Sequence, residues 1–501
     1  MTRFEPTEIS ARVERVVAGA GASPWLVGYD ANGIQELITA SGRPISMRGA
    51  SEVILAFDKR VRDEELTIFA GGGRGVLLAR SEGEADAKAK ELVARYRVTT
   101  CGGIMAACAV PLERGRDAQA RSIRWLRHRL GIEKDAAPPP TGVLPDSKAS
   151  ECAYCRNYRG TRDRKRDDEI EKVCPRCDAM LEHGRRAGDD DEQPSRSREM
   201  SLSIEKVADR GRIAVIAADG NNLGALFDSL HNLVELAAVS EVVATTFQNA
   251  QERALECVPA DKRVPLMSGG DDICAFLPPG AVLSYVEALV EVIESSASEY
   301  CHRIAPLISP ATATRLDNLG VGIGAVVANV YYPAWRLVEY ARVLEHNAKA
   351  PCYEHGWRSG FDFAVVTTED SMTGDVAHIR SADDIRPLRP RSPDWETVFR
   401  NARALARIPS AQLAVLAADH AIRNPEAAGN ARPRKTDERQ TMSDAEFANV
   451  LRYQVARSPA WQDWYKTCGV EWRVPDNVFK HRPTRGLLDL TRLLAHHEAR
   501  T

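Results

Sequence analysis

The sequence predicts an α+β protein that uses one unit twice, with a cysteine-bearing segment between the copies and a helical tail. Three observations predict it. The order strand, helices, glycine hairpin, helix, strand, helix runs from residue 24 and again from residue 212. Two Cys-x-x-Cys pairs stand between the copies, and the last part of the chain carries apolar residues at helical spacing. At 501 residues the chain exceeds one core. The expected division is 1–140 and 201–370 for the two units, 141–200 for the cysteine segment and 371–501 for the tail.

In the first copy, "PWLVGYD" reads as a strand ending at Asp30, and "GIQELITA" and "GASEVILAFDKRV" read as helices. "LTIFAGGGRGVLLA" is a hairpin around Gly71, Gly72 and Gly73. The helix "GEADAKAKELVARYRV", the strand "CGGIMAACAVPL" and the helix "AQARSIRWLRHRLG" complete it. In the second copy, "RIAVIAAD" ends at Asp219 and two helical stretches follow. "VPLM" and "ICAFL" then flank the turn "SGGDD" as a hairpin. A helix with Leu283, Val286, Leu289, Val290 and Ile293 on one face comes next. The strand "LGVGIGAVVAN" and a helix opened by Pro333 and ending at Lys349 close the unit. The copies differ chemically at the hairpin tip: Gly269, Gly270, Asp271 and Asp272 in the second, Gly71, Gly72, Gly73 and Arg74 in the first.

Two adjacent carboxylates between strongly apolar strands are costly unless they hold cations. Asp219 ends a strand expected beside that hairpin, and neighbouring strands lie about 4.8 Å apart, close enough for carboxylates to share metal ions. Metals so held activate an attacking hydroxyl and neutralise a leaving pyrophosphate, the chemistry of polymerases and nucleotide cyclases. Asp219, Asp271 and Asp272 are therefore the expected catalytic and metal-binding acids, with magnesium or manganese as the ion. Gly220, Asn221 and Asn222, the glycines at both tips and Lys349, as a point cation for phosphate, are expected beside the nucleotide.

Cys152, Cys155, Cys174 and Cys177 form two pairs 18 residues apart, a spacing that closes on one tetrahedral zinc with no open position. A structural zinc follows. The other seven cysteines are expected to be small buried residues in a reducing compartment. The formal charge of −3 gives no global field for nucleic acid, and no long uncharged apolar run or leader-like N-terminus occurs, so a cytoplasmic protein with no membrane contact is expected.

"IAADGNNLGALF", "LMSGGDDICAFLPP" and "GVGIGAVVANVYYPAWRLVEYARVLEHNAK" resemble the second palm of the large, polymerase-cyclase subunit of type III CRISPR effector complexes. "GYDANGIQELITASGRPISMRGASEVI" with "FAGGGRGVLL" looks like that family's acid-less first palm, and the cysteine segment is similar to its zinc-binding domain. The resemblance implies two ferredoxin-like, RRM-like palms, related to GGDEF and class III cyclase palms. It also implies synthesis of cyclic oligoadenylates from ATP in antiviral defence. It places Asp219, Asp271 and Asp272 at the family's acidic positions, Gly269 and Gly270 at its turn and Lys349 at its closing lysine. Three departures accompany it: Asn221 stands where the family has a second acid, no histidine-aspartate nuclease domain precedes "WLVGYD", and the chain is short for such a subunit. Rival readings are a cyclase with a mono- or dinucleotide product and a silent scaffold that binds RNA or a nucleotide.

In the tail, "DWETVFRNARALARIPSAQLAVLAADHAI" and "SDAEFANVLRYQVARSPAWQDWYK" read as amphipathic helices around a polar loop, residues 423–440. Leu413, Leu416 and His420 read as core. A helical bundle of this kind either docks an effector subunit or caps the second unit; its Arg and Lys could reach guide or target RNA, but the interleaved acids favour a solvated face.

Overall fold

The computed structural model describes residues 5–137, 144–166, 169–186, 204–366, 385–409, 412–413, 444–474 and 484–498. Strands β1 (Trp25–Asn32), β2 (Thr67–Gly71), β3 (Arg74–Ala79) and β4 (Ile104–Pro111) form an antiparallel sheet in the order β2-β3-β1-β4. The cysteine segment contributes a separate hairpin, β5 (Arg162–Arg166) with β6 (Glu169–Val173). The second sheet contains β7 (Arg212–Gly220), β8 (Val264–Gly269), β9 (Asp272–Leu277), β10 (Val321–Asn329) and β11 (Gly360–Val365). Its order, β8-β9-β7-β10-β11, repeats that of the first sheet and adds β11 parallel to β10.

Strand alternation fixes what each side chain meets. In β7, Ile213, Val215 and Ala217 pack with Leu337, Val338, Ala341 and Leu344 of the helix Ala334–His355. Ala214, Ile216 and Ala218 join the helices Leu233–Glu256 and Val282–Ile304 on the other face. Asp219 therefore emerges on the face covered by Ala334–His355. That helix lies against β10 because Gly324 has no Cβ, which would stand 1.9 Å from the Ala341 carbonyl oxygen. In the first sheet the corresponding cover is Arg116–Ala136, whose Leu126 and Leu130 sit over Gly28.

The cysteine segment is tied to the first sheet's helix Pro44–Arg62. Added Cβ atoms at Gly49 and Gly184 would stand 1.8 and 1.9 Å from the carbonyls of Met180 and Ile45, so Pro44–Arg62 and Pro175–Arg186 cross with backbones in contact. Arg176 adds hydrogen bonds to the carbonyls of Gly102 (2.8 Å) and Cys101 (3.2 Å). The tail packs Trp395, Phe399, Trp461, Trp464 and Tyr465 into the large core that also holds Phe361 and Phe363. A buried Arg386–Asp489 pair at 3.1 Å anchors it.

Several elements depart from expectation. Ala334–His355 does not end at Lys349 but runs through Pro351 to a left-handed Gly356. A proline removes one backbone donor, and packing of Leu344, Ala348 and Cys352 outweighs that loss. Residues 443–466 make two helices, Asp444–Arg457 and Pro459–Thr467, because Pro459 opens a new one. The helix Pro6–Gly19, the β5–β6 hairpin and β11 have no counterpart in the sequence reading. Cys257 is exposed, and Cys101 and Cys468 are half-buried, so not all seven single cysteines are core residues. Leu413 packs against the large core, whereas Leu416, His420 and the 423–440 loop lie outside the described residues.

Candidate active site and metal centre

The hairpin tips of the two units touch. Gly72 and Gly270 both have φ of 64°, and a Cβ on either would lie 3.3 Å from the other's Cα. In the first tip Gly71 pairs with Arg74 across Gly72 and Gly73, both at positive φ, the pattern of a type I′ turn. In the second, Gly269 pairs with Asp272 across Gly270 and Asp271, and of the two central residues only Gly270 is left-handed. Position for position, Gly73 and Arg74 stand where the other unit has Asp271 and Asp272.

Asp219 and Asp272 lie on adjacent strands β7 and β9, and Asp271 sits in the turn that leads into β9. Burial raises the Asp271 carboxyl well above its usual range, and the charges of Asp219 and Asp272 raise it further while Arg74 opposes them. Burial, then Asp219, also raises Asp272, against Arg342, Lys349 and Arg74. Carboxylates that repel one another in a half-buried corner are a site for positive charge. Part of that charge is supplied by the chain: Lys349 is paired with Asp219 and, at 2.9 Å, with Glu345, and Arg342 lies 3.7 Å from Asp272. Burial alone would lower Lys349, but Asp219 and Glu345 outweigh it and hold the ammonium protonated. Burial lifts Glu345 to about 7.

Asn221 takes no part in the acid group. Its Nδ2 donates to the Arg358 carbonyl at 2.9 Å and to the Cys352 sulfur at 3.2 Å, and the residue is buried. Gly220 packs against Leu223 and Phe247, and Asn222, left-handed at φ 60°, precedes the helix Leu223–Asp228. These three shape the end of β7. The sequence reading missed Arg342 and Glu345, one helical turn or two before Lys349 on the same helix; the i,i+4 spacing of Glu345 and Lys349 was the available signal.

The first unit reproduces half of this arrangement. Asp30 lies two residues before the end of β1, opposite Arg74, and is paired with Arg74 at 3.3 Å and with Lys134 at 2.8 Å. Lys134 lies on the covering helix, as Lys349 does in the second unit. The tip is held from below by Asp58, which accepts from the Gly73 N–H at 2.7 Å and the Tyr29 hydroxyl at 2.8 Å. Burial raises Asp58 to about 6, and those two hydrogen bonds limit the rise.

Cys152, Cys155, Cys174 and Cys177 are buried with their sulfurs all within 4.8 Å of one another, the one such group of metal-ligating side chains among the described residues. Backbone N–H groups of Tyr154 and Cys174 point at the Cys152 sulfur at 3.4 and 3.2 Å, and that of Cys177 at the Cys174 sulfur at 3.5 Å. Hydrogen bonds from Cys155, then Cys174 and Cys177, hold the Cys152 thiol far below its usual range. Four clustered sulfurs with amide donors fit a closed tetrahedral zinc site.

Residues 212–353 match the family model for the second palm domain of Cas10/Cmr2. Among solved structures, Csm1 of T. onnurineus superposes with a TM-score of 0.52 at 15% identity, over 95% of this chain and 69% of that one. A Csm1–Csm4 cassette in complex with AMPPNP gives 0.51 at 14% identity, over 98% and 72%, and one in complex with cA4 gives 0.50 at 14%, over 97% and 72%. Residues 212–353 are thus similar to a Cas10 second palm. At such identity the structural likeness is one of fold: two palms, a cysteine cluster and a helical C-terminal region. No curated protein matches the sequence. Among the described residues no helix is long and apolar enough to cross a membrane.

Proposed function

We propose that this chain joins ATP molecules into cyclic oligoadenylates at its second palm, with Asp219, Asp271 and Asp272 as the metal-binding acids. The observation that carries the reading is the hairpin tip itself, where Asp271 and Asp272 meet Asp219 in a half-buried corner beside Lys349. The solved cassettes of similar fold, recorded with AMPPNP and with cA4, support the substrate and product class. In each step a ribose hydroxyl oxygen attacks the α-phosphorus of a second ATP, a P–O bond forms, the bond to the β-phosphate oxygen breaks and pyrophosphate leaves. Magnesium or manganese on the three acids would lower the pKa of the attacking hydroxyl and neutralise the leaving group. Lys349, held protonated between Asp219 and Glu345, offers a cation to the phosphates once the metal takes Asp219. The glycine tips Gly71–Gly73 and Gly269–Gly270 let phosphates approach backbone, and Gly220, Asn221 and Asn222 form the floor at the end of β7.

The palms correspond to 1–140 and 201–370, the zinc segment to 141–200 and the helical domain to 371–501. The solved cassettes pair Csm1 with Csm4, which supports an effector subunit as partner here, with guide or target RNA as the activating signal. The test is to incubate the chain with ATP and magnesium, beside Asp271→Ala/Asp272→Ala, and identify products by mass spectrometry. Cyclic oligoadenylates from the wild type alone are expected. A mono- or dinucleotide ring would replace the product assignment, and unchanged ATP with and without RNA and partner subunit would leave a scaffold.

A further inference from the structure

The first palm's Arg74 has no structural need to be where it is. Asp30, its partner at 3.3 Å, already has Lys134 at 2.8 Å, the same acid-lysine pair that the second palm makes with Asp219 and Lys349. Arg74 therefore adds a second cation to a carboxylate that one suffices to neutralise, and its side chain is 64% exposed. It occupies the register position of Asp272 in the tip that touches the Asp271 tip. The carboxylates acting on its guanidinium come from both palms: Asp30, then Asp271, then Asp272. Its backbone is fixed by the preceding Gly73, whose N–H is held by Asp58 and whose own Cβ, if present, would stand 2.5 Å from Ile34.

We propose that Arg74 is a residue of the second palm's site supplied by the first palm, binding the polyphosphate of the nucleoside triphosphate seated against Asp271 and Asp272. The proposal rests on the reading of that site as a nucleotide site. Acids would hold metal on one side of the phosphates, and a planar guanidinium, bonded to Asp30 through Nε, would meet phosphate oxygens on the other. Substitution of two acids by glycine and arginine thus turns the first copy from a second metal site into the phosphate-binding wall of the first. In the absence of nucleotide the guanidinium rests on Asp30, and Lys134 keeps Asp30 neutralised when Arg74 turns to the ligand.

The experiment measures equilibrium binding of ATP with magnesium by the full chain, and product formation separately, for the wild type, Arg74→Ala, Arg74→Lys and Asp30→Asn, with thermal melting as the folding control. Arg74→Ala is expected to weaken ATP binding about tenfold to a hundredfold, the loss of a charge-assisted phosphate contact, with Arg74→Lys in between and Asp30→Asn near wild type. Unchanged ATP affinity in Arg74→Ala with lower melting in both Arg74→Ala and Asp30→Asn would reduce Arg74 to a partner of Asp30 and overturn the proposal. ATP bound without product would sink the synthase reading while the affinities still decide Arg74. No ATP binding by the wild type up to millimolar concentration would overturn both.

Discussion

The two palms share a strand order, an aspartate near the end of the central strand and a lysine on the covering helix. They part at two consecutive hairpin positions, where Gly73 and Arg74 face Asp271 and Asp272. The difference teaches how little of a duplicated site has to change to alter its charge. Exchanging two carboxylates for one guanidinium shifts the local charge by three units, while the sheet, the close packing of tips through Gly72 and Gly270 and the acid-lysine pair persist. The supports also differ: Asp58 pins the first tip through the Gly73 N–H, whereas Asp271 meets the like charges of Asp219 and Asp272.

The sharpest way to break this comparison is to make one substitution in both copies. Asp219→Ala is expected to lower product formation about a thousandfold or more, as removal of a metal-binding acid does, and Asp30→Ala less than about tenfold. Equal losses, read by product mass spectrometry, would make the palms equivalent. The cysteine segment comes next. Cys177→Ser is expected to release about one zinc per chain and to expose residues 151–186 to protease, since a four-sulfur site orders the segment around it. Retained zinc, measured by atomic emission, would contradict it.

Lys349→Ala is expected to slow product formation about tenfold to a hundredfold and Lys134→Ala far less, because a charge-assisted contact to phosphate is at stake only in the acid-bearing palm. The reverse order in steady-state rates would move the phosphate site to the first palm.

A pH experiment sharpens the contrast in supports. Asp58 titrates near 6 in the fold, above its ordinary 3.8, so the unfolded chain loses that proton first and the stability it contributes is present at low pH and lost as pH rises through 6. Relative to wild type, Asp58→Asn should therefore gain stability between pH 4 and 6, by up to about 3 kcal/mol for a shift of this size. Denaturation curves that stay parallel across that range would show Asp58 to be of ordinary acidity. The smallest expected effect is at Asn221. Restoring an acid there, Asn221→Asp, sets two acceptors face to face at the Arg358 carbonyl and should cost about 1–3 kcal/mol of stability without strengthening metal binding. A gain in magnesium affinity, followed by calorimetry, would return Asn221 to the metal site.

The departure at Asn221 is the clearest case of what spacing does not convey. It stands two residues after Asp219, where the resemblance puts a second acid. The chain beyond Pro351 brings Cys352 and Arg358 onto that side chain and takes it away. Arg342 and Arg74 went unrecognised for a related reason: each acts on acids far off in sequence, and charges on a helix or a strand tip read as solvated until the neighbour is known. The cysteine cluster was legible because its whole metal-ligand set lies within one short segment.

The sequence by itself determined the repeated order of elements, the hairpin tips with and without acids, and the four-cysteine cluster. All three depend on local rules: two-fold and 3.6-fold apolar periods, glycines that admit left-handed turns, and ligand pairs a turn apart. Only the tertiary structure decided that the tips meet at Gly72 and Gly270, that Ala334–His355 runs past Pro351 to bury Lys349 against Asp219, and that Arg74 pairs with Asp30 in the tip that touches the acid-bearing one. Those outcomes turn on packing between residues hundreds of positions apart, where burial and opposite charge outweigh local preference and no single stretch of chain holds both partners.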